Sequence, residues 1–177
     1  MTSPTREPDG DAAADAARRA AGDAASEAER KAVRAIGADQ CSIAGTLEAL
    51  GDTWSILVLR ELFFGVHRFN ELQRDLGISR SVLAERLARL VDLGVVRVVP
   101  YREPGDRARN EYRLTRKGVD LLPVMVSLMS WGDRHLNDGL GPVSLHDRST
   151  GEPVGLELRT PSGRVVAPNE MQPRVRR

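Results

Sequence analysis

FNELQRDLGISRSVLAERLARLVDLG (Phe69–Gly94) is the stretch of sequence that decides the fold. Its first part predicts a short helix that ends at Gly77, because glycine readily terminates a helix. Ser79 can then cap a second helix through its side-chain oxygen. The apolar residues of that second helix recur at helical spacing and form one stripe, made by Leu83, Leu87, Leu90 and Val91. The stretch therefore predicts two consecutive helices joined by a tight turn.

The next stretch, VVRVVPYREPGDRARNEYRL (Val95–Leu114), predicts a β-hairpin. Two runs of alternating or β-branched residues flank Pro104-Gly105-Asp106, which is typical of a turn. Helix, turn, helix and hairpin in this order indicate a winged helix, a shape that places a helix in the DNA major groove. We expect a mainly α fold with a small β-hairpin wing.

The remainder of the central domain, residues 39–137, is predicted to be helical. Ile43, Leu47 and Leu50 mark a first helix that ends at Gly51, and Asp52 or Thr53 caps a buried second one. A minor strand is expected near residues 67–69. A long last helix begins after Thr115 and contains Pro123, where we expect a bend because proline removes a hydrogen bond.

Two tails flank this domain. Residues 1–38 are rich in Ala, Asp, Glu and Arg and predict a disordered or partly helical segment. Residues 138–177 are rich in Gly and Pro between short alternating runs, which favours a small β appendage with a flexible end.

Positive charge is concentrated on the predicted helix and hairpin. The whole chain has a formal net charge of +1, but residues 79–117 hold 10 Lys and Arg against 5 Asp and Glu, a net charge of +5. A basic surface on these elements is what binding to DNA phosphates requires. The sequence contains no apolar run of the ~20 residues that span a bilayer, and its acidic N-terminus does not resemble a signal peptide, so we expect a cytoplasmic protein.

Candidate DNA contacts lie on the second helix and on the hairpin. A groove-reading helix needs an outer face of short polar or forked basic side chains, and free N–H groups in its first turn can meet a phosphate. We predict DNA contacts from Ser79, Arg80, Ser81, Ala84, Arg86, Arg89, Arg102, Arg107 and Arg109. Individually, each of these arginines is also compatible with ordinary surface solvation. The alternative function is a winged-helix module that binds proteins without specific DNA binding.

The central domain resembles the HxlR-type bacterial regulators. The resemblance rests on the run from Cys41 through Trp54 to Leu62, on ISRSVLAERL (Ile78–Leu87), on YRLTRKG (Tyr112–Gly118) and on Trp131-Gly-Asp133. It covers about residues 39–137 and implies a winged-helix homodimer, related to MarR-type repressors, that binds a palindromic operator in double-stranded DNA. In such proteins the first and the last helix form the dimer contact.

Cys41 is the single cysteine of the chain. The resemblance implies a sensor of electrophiles or oxidants at this position, and the start of a helix favours a thiolate. The alternative is a small buried side chain without a sensing role, since free cysteine is among the most buried residue types.

The sequence predicts neither catalysis nor a bound cofactor. Three scattered histidines lack the spacing of metal ligands, and no nucleophile grouping or phosphate-binding loop is visible. A cleft beside the winged helix is a candidate site for a small apolar effector, and its predicted lining is Trp54, Phe63, Phe64, Met125, Met129 and Trp131.

Overall fold

The computed structural model describes residues 22–24, 26–103, 105 and 107–176. These residues form two compact units. One unit is continuous and comprises Thr46–Arg159, whereas the other combines the residues up to Gly45 with those from Thr160 onward. No helix among the described residues is long and apolar enough to cross a bilayer.

Between residues 42 and 92, ahead of the hairpin, lie the four helices α1 (Ser42–Leu50), α2 (Thr53–Phe63), α3 (Phe69–Leu76) and α4 (Arg80–Asp92). Their ends follow the predicted signals. Asp52 accepts a hydrogen bond from the Ser55 amide at 3.1 Å and so caps α2, and Ser79 accepts one from the Val82 amide at 3.3 Å and caps α4. Gly77 ends α3 in the left-handed region, with φ of 64°, where glycine carries no steric penalty.

Strands β1 (Val96–Tyr101) and β2 (Arg109–Leu114) form the predicted hairpin. They pair antiparallel, with Val96 opposite Leu114 and Tyr101 opposite Arg109. At the predicted turn, Gly105 has φ of 86°, whereas Pro104 and Asp106 lie outside the described residues. The minor strand expected near residue 68 is a single bridge between Arg68 and Glu111.

The last helical region differs from the prediction. It is divided into a one-turn helix α5 (Arg116–Val119) and a longer helix α6 (Leu122–Leu136). Pro123 lies in the first turn of α6, where its missing N–H costs no helical hydrogen bond. The predicted bend inside one long helix is therefore wrong, because the chain begins a new helix at the proline.

The core of the continuous unit lies between α2, α3, α4 and β1. Leu83, Leu87 and Leu90 of the predicted α4 stripe are at most 1% exposed. They belong to one apolar cluster with Val58 and Leu59 of α2. This packing fixes the inner face of α4, which leaves its outer face to solvent.

The C-terminal extension contains turns and isolated β-bridges. Among its described residues, His146 and Pro153 form an isolated bridge, and Pro168–Glu170 is a single 3-10 turn. The runs between its glycines and prolines are short, which favours single bridges over a longer ladder, and the small β appendage remains a prediction.

The discontinuous unit joins the two ends of the described chain. Residues 26–34 are helical. The Gln172 side chain donates to Ser26 Oγ at 3.3 Å, and the Val175 amide donates to Glu29 Oε1 at 2.6 Å. The rest of the tail predicted for residues 1–38 includes residues 1–21 and 25, which lie outside the described part.

Candidate DNA-binding surface

The N-terminus of α4 presents small side chains and one arginine to solvent. Ser79, Arg80, Ser81 and Ala84 are all exposed, and the hydroxyls of Ser79 and Ser81 lie 3.1 Å apart. Small side chains allow the helix backbone to approach base edges closely, as a groove-reading helix requires.

Arg80 is held in place by α3. Its guanidinium carbon lies 4.9 Å from the centre of the Phe69 ring, and its Nη1 donates to Asn70 Oδ1 at 3.2 Å. A cation–π contact and a hydrogen bond reduce the number of rotamers available to this long side chain. The guanidinium is therefore oriented before any ligand arrives.

Arg86 is engaged within the protein. Its Nε lies 2.6 Å from Asp52 Oδ2, and its side chain is only 20% exposed. The Nε–H forms no hydrogen bond with the carboxylate, so the contact is an ion pair. A second ion pair joins its Nη1 to Glu85 Oε1 at 2.7 Å. This predicted DNA contact thus lies where α4 meets the N-terminus of α2.

Arg89 also turns back to the protein. Its Nε donates to the carbonyl oxygen of Ala49 at 3.0 Å, and its Nη2 donates to that of Glu48. Both carbonyls belong to the last turn of α1, which has unpaired acceptors by construction. Arg89 therefore caps the C-terminus of α1 with a side chain from another helix.

The hairpin arginines are exposed. Arg102, Arg107 and Arg109 all lie on the wing. Beside them, Arg68 stacks at 4.7 Å on the ring of Tyr101 and pairs with Glu103 at 2.6 Å.

A cleft of about 360 Å³ separates the wing from the N-termini of α3 and α4. Its lining includes three arginines and two tyrosines, which are Arg68, Arg80, Arg109, Tyr101 and Tyr112. Neither Arg68 nor the two tyrosines were predicted as site residues from the sequence. The position of Arg68 directly before α3 was the one signal in the sequence that could have identified it. Its stacking partner, Tyr101, is distant in sequence and gave no such signal.

A second, apolar pocket of about 490 Å³ lies between α2, α6 and the extension. Four residues of the predicted effector cleft line it, namely Phe63, Phe64, Met125 and Met129. Trp54 and Trp131 are not among its lining residues. Trp131 is instead 59% exposed and contacts the His135 ring, with ring centres 5.2 Å apart and ring planes tilted by 45°. The extension contributes Leu145, His146 and Val154, none of which was predicted from the sequence as a lining residue.

Cys41 is a free thiol of intermediate exposure. It follows the 3-10 turn Ala38–Gln40, and its carbonyl accepts the amide of Gly45 at 2.9 Å. Cys41 thus lies at the entrance to α1, as expected. Within the part of the chain that the structure describes, no cluster of three or more His, Cys, Asp or Glu residues could hold a metal ion.

His67 lies behind the wing, where its carbonyl accepts the Tyr112 amide at 2.8 Å. Burial lowers the pKa of His67, and the nearby Arg113 guanidinium lowers it further against the opposing carboxylates of Glu111 and Glu71. Arg113 itself donates to Glu111 Oε1 at 2.8 Å, and this bond lowers the pKa of Glu111.

An anchored helix with a polar outer face, preceded by a short helix and followed by a basic hairpin, defines a winged helix-turn-helix protein of the transcription-regulating, DNA-binding class. The model of the HxlR-like helix-turn-helix family matches residues 49–139. The chain belongs to this family.

Relatives and solved structures agree with this assignment. An uncharacterized HTH-type transcriptional regulator of Mycobacterium tuberculosis is 47% identical over 112 residues, which cover 63% of this chain and 70% of the relative. A second such regulator, from Synechocystis, is 38% identical over 93 residues, which cover 52% of this chain and 67% of the relative. The crystal structure of PA1607, described as a candidate transcription factor, is 37% identical, with a TM-score of 0.65, and covers 77% of this chain and 94% of its own.

Proposed function

We propose that the protein is a homodimeric repressor that acts in the cytoplasm and binds a palindromic operator through α4. The observation that carries this proposal is the division of α4 into a buried apolar face and an exposed face of small polar residues. Such a helix fits the major groove only from its exposed side.

The proposed contacts form two groups. Ser79, Ser81 and Ala84 face base edges, while Arg80 meets a phosphate from its fixed position over Phe69. The arginines of the hairpin contact the flanking backbone or the minor groove, where negative potential attracts them. They are Arg102, Arg107 and Arg109.

Arg86 and Arg89 have a different proposed role. Each guanidinium is already engaged by Asp52 or by the end of α1. We assign them to holding α4 at a fixed angle to α1 and α2, so that their loss would alter the position of the reading helix and not the number of phosphate contacts.

Two further features support the dimer. Ile43 and Leu47, four residues apart on α1, are 73% and 64% exposed, and Trp131 and Leu136 of α6 are 59% and 72% exposed. Exposed large apolar residues on consecutive turns of a helix are typical of an interface. A symmetric dimer presents two reading helices to half-sites about one turn of DNA apart.

Fluorescence anisotropy with labelled DNA from upstream of its own gene tests the proposal. With about six phosphate contacts, affinity should fall ~10³-fold or more between 50 and 200 mM salt. Arg80→Ala should weaken binding and reduce the salt slope by about 1. The matched control is Arg148→Ala, an exposed arginine of the extension, which should change neither. Binding that ignores both salt and Arg80 would instead support the protein-interaction module.

We further propose that an electrophile or oxidant acts on Cys41. Its partial exposure at the entrance to α1 supports this, because α1 carries part of the proposed dimer contact. Diamide treatment should reduce operator affinity in the parent protein and leave Cys41→Ser unaffected. An equal loss in both would show that the oxidant acts elsewhere, and no loss in either would assign Cys41 a structural role.

A further inference from the structure

The apolar pocket between α2 and α6 is closed on one side by a short loop of the C-terminal extension. Ile56 and Phe63 of α2 face Met125 and Met129 of α6 across it, and Leu145 and Val154 belong to the loop. The volume of about 490 Å³ lies within the ~300–1,000 Å³ that small-molecule sites occupy. The two thioethers can adapt to the shape of an occupant because methionine is unbranched and polarizable.

The loop wall is ordered by its own hydrogen bonds. The Val154 amide donates to the Leu145 carbonyl at 2.8 Å, and the Asp147 amide donates to the Glu152 carbonyl at 2.9 Å. Asp147 in turn accepts the amide of Thr150 at 2.8 Å. Hydrogen bonds from the Ser149 hydroxyl and from the Thr150 and Ser149 amides lower the pKa of Asp147 to about 2. The Asp147 carboxylate therefore stays ionised, and keeps accepting these hydrogen bonds, at all but strongly acidic pH.

His146, the polar residue of this wall, has both ring nitrogens occupied. Its Nδ1–H donates to the Gly151 carbonyl at 2.9 Å, since a carbonyl oxygen can only accept. Its Nε2 lies 2.9 Å from Ser144 Oγ. The imidazole therefore has no nitrogen left for a molecule in the pocket.

Arg60 is the only residue among the Lys, Arg, Asp and Glu side chains to line this pocket, and a neighbouring carboxylate balances its charge. Arg60 Nε donates to Glu61 Oε1 at 2.9 Å, and Nη2 pairs with the same oxygen. An ionised ligand would lose its hydration here without gaining an unpaired counter-charge, which is costly. The lining thus favours an uncharged occupant.

We propose that this pocket binds a neutral, apolar small molecule, aromatic or branched aliphatic, which acts as the effector of the regulator; this inference rests on the proposed function. The site extends beyond the part of the chain that matches the family model, which ends at residue 139. Its floor is α2, whose N-terminal Asp52 is paired with Arg86 of α4. A ligand that displaces α2 can therefore move the reading helix.

Two fluorescent probes with the same aromatic body but different charge test the proposal. N-phenyl-1-naphthylamine is neutral, whereas 1-anilinonaphthalene-8-sulfonate carries a sulfonate. The full-length protein without DNA should bind the neutral probe at least tenfold more tightly. Equal or tighter binding of the sulfonate would overturn the proposal, whether or not the protein binds an operator.

Substitutions in the loop locate the probe. Val154→Asp should weaken binding of the neutral probe at least tenfold, because it places a charge in the wall. Leu158→Asp is the matched control, since Val154 and Leu158 are 52% and 54% exposed but only Val154 lines the pocket. Met129→Trp, which fills the pocket without adding charge, should also abolish binding. An equal loss in Leu158→Asp would overturn the assignment of the site.

Two more measurements separate the remaining outcomes. Probe affinity should not depend on protein concentration through the range in which dimers form; if dimers exclude the probe, a second copy of the chain occupies the groove and the proposal is wrong. Saturating neutral probe should change operator affinity by about fivefold or more, the usual scale of coupling between two sites. An unchanged operator affinity would overturn the effector role.

Discussion

Three arginines of α4 share a helix but differ in what their guanidinium groups contact. Arg80 is stacked on Phe69 and remains exposed, whereas Arg86 ends against Asp52 and Arg89 against the last turn of α1. A guanidinium that already neutralises a carboxylate or caps carbonyls must break those contacts before it can bind a phosphate. In the proposed complex, the charge that α4 can offer to a phosphate is thus concentrated near its N-terminus.

Arg86→Ala should reduce the unfolding free energy by about 1 kcal/mol, the upper end of what an ion pair near the surface contributes. The salt slope of operator binding should stay unchanged, because no phosphate contact is lost. Urea unfolding of Arg86→Ala, Asp52→Ala and the double variant measures the coupling and separates it from the capping role of Asp52. Additive effects together with a smaller salt slope would mean that Arg86 contacts DNA.

Acid should destabilise the fold through His67. Its pKa in the folded state is lower than the ordinary 6.5, chiefly because of burial, so the folded protein binds fewer protons than the unfolded chain. The contribution is complete above 6.5 and is lost as the pH falls through that value toward the folded pKa. Urea unfolding at about pH 7.5 and about pH 5.5 measures the loss, with the solution conditions otherwise held constant.

The control for this effect is a pair of histidine variants. His67→Gln should diminish the difference in unfolding free energy between the two pH values, whereas His135→Gln, on the exposed side of α6, should retain it. A pH dependence that is unaffected by His67→Gln would assign the acid sensitivity to another group.

For single residues, the buried face of a helix could be predicted from the sequence, whereas the contacts of long charged side chains could not. Helical periodicity correctly predicted that Leu83, Leu87 and Leu90 are buried in the core. The direction of the Cβ atom decides which face of the helix a compact apolar side chain occupies. A long arginine can bend toward partners at its flank. The partner of Arg86 lies 34 positions earlier, at Asp52, and no local pattern indicates such a pair.

Among the elements, the helix boundaries were the most predictable. Ser79, Asp52 and Thr115 all cap helices, since capping depends on residues within three positions of each other. The division between α5 and α6 was not predicted, because a proline inside an apolar run is compatible with either a bent helix or a new one. The pairing of strands within the extension could not be predicted either, since alternation alone does not supply a partner strand.

The junction between α1 and α2 depends on Gly51. This residue has φ of 93°, and a Cβ on it would lie 2.9 Å from the Arg89 guanidinium carbon. Gly51→Ala should therefore cost about 1–2 kcal/mol of unfolding free energy, from the left-handed conformation alone, with a further loss if Arg89 is displaced.

Gly155→Ala is the matched control for this prediction. A Cβ at Gly155 meets no atom within 4 Å, and its φ lies outside the left-handed range, so its unfolding free energy should change little. Thermal and urea unfolding of both variants compare them directly. Equal stability of the two variants would mean that the junction tolerates a side chain.

For the whole molecule, the proposed dimer is the next level of organisation. Leu47→Glu and Trp131→Glu should shift the protein toward monomer in sedimentation equilibrium, because each puts a charge into the proposed apolar contact. Val119→Glu is the control, on α5, where Val119 is 46% exposed. The two interface variants should lose more affinity for a full palindrome than for a half-site. An unchanged mass in both would exclude these helices from the interface.

The two-unit organisation was beyond the reach of sequence analysis. The contacts that join the chain ends are hydrogen bonds between exposed polar groups 146 positions apart, Gln172 with Ser26 and Val175 with Glu29. Neither hydropathy nor spacing indicates such pairs, because exposed polar residues have many alternative partners in the unfolded chain.

The same sequence separation imposes an order on events during synthesis. Ribosomes add about 5–20 residues per second, and the 146 positions between Glu29 and Val175 therefore correspond to a delay of roughly 7–30 s. Residues 46–159 emerge within that interval and can fold before the C-terminal partner of residues 26–34 has been translated. The helix at residues 26–34 is therefore synthesised well before its C-terminal partner, and the whole unit that contains α4 is translated in between.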